Sequence, residues 1–288
     1  MWLRPATKTD GEEYYGYVPV YVDDILATLM NPTKILKDMK GKTIKYKNGN
    51  IAPPEMYLGA RLKRKIMNGN MCWTITSYDY VVAAVQTIKD ALKDKRWKLP
   101  ATTKTPMNQS FVPELDVTEE LGPDGIQFFQ ETIGMIIWAT ELGRTDIVHE
   151  VSLLSQYQAS PREGHMGNIL HIFAFLDGKP ILNMYMNPDI THLEYSLQSD
   201  PLEFKEYYRD AKEEMPHNMP SPRGRSVVTT AYLDASHGEN KVTRRPHFGY
   251  TMFVNIAPVM WMSKLHQTVE SSALSSEFIA LRQYIEDV

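Results

Sequence analysis

Two adjacent carboxylates, Asp23 and Asp24, stand inside an otherwise apolar run, "YVPVYVDDILATL", residues 17–29. A half-buried pair of like charges is costly unless a cation compensates it. Side chains alternate along a strand, but at a tight turn two neighbours can converge, and paired carboxylate oxygens suit a hard divalent cation such as Mg²⁺. A two-metal centre, with ions about 3.5–4 Å apart, requires at least one further carboxylate. The simpler alternative is a solvated Asp-Asp turn, because such pairs are common in loops. β-Branched and aromatic residues predict a strand over 14–22 and another over "ILATLM", which puts the pair at a hairpin tip.

A second set of charges follows. The chain as a whole has a formal charge of −4, yet residues 31–98 carry fifteen Lys and Arg against five Asp and Glu. Lys34, Lys37, Lys40, Lys42, Lys45 and Lys47, with Arg61, Lys63, Arg64 and Lys65, form a basic block that could neutralise phosphates with little sequence preference. The competing reading is an ordinary solvated surface. Tyr46, Tyr57 and Trp73 lie within the block and could stack on bases, although core packing suits Tyr57 and Trp73 equally well.

Several elements must hold these groups in place. Asn31-Pro32 is an N-cap followed by Pro at the first helical position, predicting a short helix over 33–39. "MYLGARLKRKI" and "MCWTITS", joined by a turn containing Asn68-Gly69, predict a hairpin. Apolar periodicity predicts helices over 78–93, 126–142, 146–159 and 163–176. Residues 187–226 read as an acidic, Pro-containing connection. Strands "SVVTTAYLDAS", "HFGYTMFV" and "APVMWMSK" then precede a Ser-rich helix start and an amphipathic helix from Ala273. The serines near His266 read as a helix N-terminus rather than as nucleophiles. His165 and His171 are six residues apart, a poor spacing for one helix face, and with one cysteine there is no zinc pattern. No glycine-rich phosphate loop is present. The single Cys72 excludes an internal disulfide, and no signal peptide or membrane-length apolar run occurs, so the expected location is intracellular and cytoplasmic.

Taken in order, these motifs resemble a known family. Tyr21-Val22-Asp23-Asp24 resembles the "YxDD" motif of reverse transcriptases in its copia-type LTR retrotransposon form, and "MYLGARL" resembles that family's "FLGI" segment. Residues 129–178, including "IGMIIWATELGRTDIVHEVSLLS", are similar to its "IGxLxYLxxxTRPDIxxAVxxLSR" block. Residues 231–281, from "AYLDAS" to "SSEFIAL", resemble the opening of its ribonuclease H domain.

The resemblance implies an α+β fold with four parts. These are the C-terminal part of a reverse-transcriptase palm (1–98), a helical thumb and connection (99–188), a linker (189–226) and a truncated ribonuclease H-like domain (227–288). It implies Mg²⁺ held by Asp23 and Asp24 in the palm, and by Asp234 and Glu277 in the ribonuclease H domain. It also implies RNA template, DNA primer and RNA–DNA hybrid as partners, contacted through Lys42, Lys45, Lys47, Arg61, Lys63, Arg64 and Lys65.

Departures accompany the matches. The family's third palm carboxylate lies well upstream of its hairpin, its later ribonuclease H aspartates lie beyond the first helix, and neither has a counterpart in these 288 residues. Ser275 stands where the family usually has a glutamate, and Pro19 interrupts the strand that leads into the motif. The expectation is a polypeptide of polymerase and ribonuclease H descent that catalyses neither reaction alone. The alternative is a non-catalytic nucleic-acid-binding or domesticated interaction protein.

Overall fold

A computed structural model describes residues 2–22, 24–39, 51–101, 103–189 and 217–288. The chain divides into two units, Met1–Pro54 with Asp189–Val228, and Glu55–Pro188 with Thr229–Val288.

In the first unit, strands β1 (Trp2–Thr7) and β2 (Glu13–Val18) pair antiparallel, Trp2 opposite Val18. Pro19 has no N–H to give a ladder, and the strand predicted over 14–22 breaks there. It resumes as β3 (Val20–Tyr21), which pairs with β4 (Asp24–Ile25). The strand expected over "ILATLM" is reduced to β4 and a single bridge, Thr28 to Tyr17. Asn31 Oδ1 accepts a hydrogen bond from the Lys34 N–H at 3.2 Å, capping helix α1 (Pro32–Met39) as its sequence predicts.

The second unit holds a four-stranded antiparallel sheet, β5 (Met56–Tyr57), β6 (Ala60–Met67), β7 (Asn70–Thr76) and β8 (Met184–Met186), in that spatial order. Asn68 and Gly69 adopt φ of 49° and 82°, the left-handed pair that a two-residue hairpin turn requires, so Met67 faces Asn70 across it. Cys72, on β7, is buried, and its thiol donates to the Lys65 carbonyl at 3.3 Å. Helices α2 (Tyr78–Ala91), α3 (Pro123–Glu141), α4 (Val148–Ser155) and α5 (Glu163–Gly178) follow. They enclose the main core, in which Ile88, Phe129, Ile133, Ile136, Ile169 and Phe173 are wholly buried. Predicted helix 146–159 is shorter than its pattern, because Thr145–Ile147 forms a 3₁₀ turn and Tyr157 leaves the helix.

Three antiparallel strands, β9 (Thr229–Ala235), β10 (His247–Val254) and β11 (Ala257–Leu265), and helix α6 (Ala273–Asp287) complete this unit. Ser272 caps α6, its side chain accepting the Ser275 N–H. The units meet at 54/55, 188/189 and 228/229, and the chain on either side of 98/99 belongs to one unit. β8 adds to β7, and the Trp261 indole N–H of β11 donates to the Thr140 carbonyl of α3 at 3.1 Å. Among the described residues, no helix is long and apolar enough to cross a membrane.

Candidate functional site

The YVDD segment forms a turn. Tyr21 pairs with Asp24, so the connection is two residues long, Val22 and Asp23, and Val22 adopts φ of 51°. A β-branched residue in the left-handed region is a steric outlier, and such outliers concentrate at functional sites. Asp24 is exposed, whereas Asp23 lies outside the described residues.

The basic block has three fates. Lys40, Lys42, Lys45, Lys47 and Tyr46 lie outside the described residues, and Lys34 and Lys37 are exposed on α1. On β6 the cations differ from one another. Arg61 is held by Asp79 of α2 in a two-pronged ion pair, Nε–Oδ2 and Nη2–Oδ1 both 2.7 Å. The Asp79 carboxylate raises the Arg61 pKa further above its ordinary value through those hydrogen bonds, so Arg61 braces α2 against the sheet. Lys63, Arg64 and Lys65 are exposed. Arg64 lies 5.0 Å from the centre of the Trp73 ring, and Lys65 lies 4.8 Å from that of Tyr185. Aromatic faces fix long cationic side chains without neutralising their charge. Trp73 is therefore a half-buried platform, and Tyr185 is a contributor that its separation in sequence concealed.

Asp234 and Glu277 lie on different elements, β9 and α6. Along β9, Leu233 and Ala235 pack with Ala280 of α6. Because strand side chains alternate, Asp234 projects from the opposite face. There it lines a cleft of about 520 Å³ against α4, together with His149, Ser236, Glu239, His247 and Ser263. Glu277 is half-buried on α6, the helix whose Ala280 packs with Leu233 and Ala235. Among the described residues no group of three or more His, Cys, Asp or Glu is arranged to hold a metal ion. Asp234 and Glu277 are carboxylates of the kind Mg²⁺ takes, and no third such group joins them among the described residues.

The cleft brings together residues that sequence spacing could not connect. His247 Nε2 lies 2.8 Å from Ser263 Oγ, which lies 3.4 Å from His149 Nδ1, and His149 Nε2 lies 3.7 Å from Glu239. Ser236 donates to Glu239 at 2.7 Å. Burial pushes the His247 pKa down to about 3, with His149 adding to the effect, so this imidazole is neutral at physiological pH. Its Nδ1 is buried with no partner among the described residues. Arg144 is a second residue that spacing did not reveal. It is fully buried, holds Asp146 with two hydrogen bonds of 2.9 and 2.8 Å, and donates to the Lys179 carbonyl at 2.8 Å. His165 and His171 are structural, as their spacing predicts. His165 Nε2 lies 2.9 Å from the Pro113 carbonyl, and His171 Nε2 lies 3.1 Å from that of Thr105.

No family model and no solved structure matches the chain. A curated protein of Saccharomyces cerevisiae, described as "Putative transposon Ty5-1 protein", is 24% identical over 277 residues, covering 94% of this chain and 73% of the yeast protein. The similarity runs through both structural units, and what the chain resembles along nearly its whole length is a transposon protein.

Proposed function

We propose that the chain derives from the reverse-transcriptase and ribonuclease H region of a copia-type retrotransposon, and that it binds nucleic acid rather than completing either reaction. The observation that carries the binding reading is β6, where Lys63, Arg64 and Lys65 stand exposed in succession, two of them laid over aromatic rings. Phosphate neutralisation by such a strand is sequence-tolerant and salt-dependent. The descent is supported by the similarity to a transposon protein and by the strained Val22 turn beside Asp24.

Titration of a labelled RNA–DNA hybrid across a KCl series tests the reading. The expected result is saturable binding whose logarithm falls linearly with the logarithm of salt concentration. In the triple variant Lys63→Ala, Arg64→Ala, Lys65→Ala the slope is reduced by about two, because alternation leaves at most two of these cations on one face of the strand. Absence of saturable binding, or a slope indifferent to the triple variant, removes the proposal. A primer-extension assay with Mg²⁺ addresses the other half: incorporation by the wild type that disappears in Asp23→Asn would restore the polymerase reading.

A further inference from the structure

Helix α6 presents an apolar seam that its own sheet does not use. Ser276 and Ala280 are buried, and Tyr284 and Asp287 meet Tyr250, the rings 5.3 Å apart and the hydroxyl 3.0 Å from the carboxylate. A different stripe, Leu274, Phe278, Leu281, Ile285 and Val288, remains between 41 and 79% exposed. Its spacing alternates four and three residues, the heptad repeat that places alternating core positions on one line of a helix. In that frame Phe278 and Ile285 occupy the first core position and Leu274 and Leu281 the second, with Val288 next in line just past the helix end. Ile285 beside Leu281 follows the β-branched-with-leucine pattern that favours two parallel strands, whereas Phe278 departs from it.

Flanking charges point the same way. Glu277 precedes the first core position and Arg282 follows the second, five residues on, the offset at which flanking groups of two parallel helices meet. Two-fold symmetry would form this pair twice. In the antiparallel arrangement Glu277 would face Tyr284, and Arg282 would face Ser275, with no charge match. Arg282 already bonds Glu286 of its own helix at 2.8 Å, and a guanidinium with five donors can hold both carboxylates.

We propose that α6 is a homodimerisation helix, pairing in parallel with α6 of a second copy of this chain through the 274–288 seam. Two heptads are short for an isolated coiled coil, but α6 is already folded against β9 and β10, so pairing does not have to order it.

Sedimentation equilibrium of the full chain provides the test. The expected result is a monomer–dimer equilibrium with a dissociation constant on the order of 10 μM. Ile285→Glu and Phe278→Glu alter exposed side chains, so they leave circular dichroism unchanged and remove the dimer. Arg282→Glu weakens association about tenfold, through lost pairs and new like-charge contacts, and adding Glu277→Arg recovers most of the loss. The proposal is overturned by a monomer at all concentrations up to about 200 μM, by a dimer that survives Ile285→Glu, or by open-ended assembly. A charge swap no better than Arg282→Glu alone overturns it as well.

Discussion

A buried imidazole with a lowered pKa makes stability depend on pH in a definite direction. His247 titrates near 3 in the fold and near 6.5 when unfolded, so between these values the unfolded chain binds the extra proton. Its contribution is complete above about pH 6.5 and is lost as pH falls toward 3, at a cost on the order of a few kcal/mol. Denaturant unfolding at pH 7 and pH 4.5 should show this loss in the wild type. His247→Gln, which removes the titration but can still reach Ser263, should flatten it. His165, whose pKa is also lowered by burial, leaves a residual slope in the same direction. Arg144 provides a test independent of pH. Replacing it with Met strands a carboxylate and the Lys179 carbonyl, and should cost about 3 kcal/mol or more by the same measurement. Asp23 and Asp24 were legible in the sequence because they are adjacent and out of character with their surroundings. His149 and His247 are each unremarkable, and only the packing of α4 on β10 and β11 joins them, at 4.8 Å between rings.

At the scale of elements, the hairpin of β6 and β7 was fully written in its turn, because Asn68-Gly69 accepts the two positive φ angles that few other pairs tolerate. The strand after Asp24 was not, since its propensity is that of a strand but Pro19 deprives it of a continuous partner. Gly143 shows a local constraint with a remote cause. It ends α3 at φ of 101°, and a Cβ there would lie 2.3 Å from Met184 Sδ on β8. Gly143→Ala therefore combines backbone strain with overpacking and should destabilise by about 2 kcal/mol or more, with the melting temperature as readout. The same substitution at Gly134, where a Cβ meets nothing within 4 Å, should be neutral or slightly stabilising.

For the whole molecule, the division between units follows pairing rather than sequence order. Residues 184–186 return to the β6–β7 hairpin after some hundred residues that hold helices α2 to α5, a closure that no local pattern announces. Among the described residues, both clusters of buried apolar side chains belong to the second unit. Hydrogen exchange should accordingly be slowest in α3 and α5, whose inward faces are wholly buried, and faster in the β1–β2 ribbon, whose first strand is mostly exposed. Equal protection in the two regions would contradict that distribution of stability.

Cys72 bears on every such measurement. As the chain's only thiol, sheltered within the sheet and bonded to the Lys65 carbonyl, it is shielded from maleimides and mild oxidants. The native chain thus supplies its own silent background for spectroscopy. A single cysteine introduced on the surface would carry a spin label or fluorophore without first deleting a natural one.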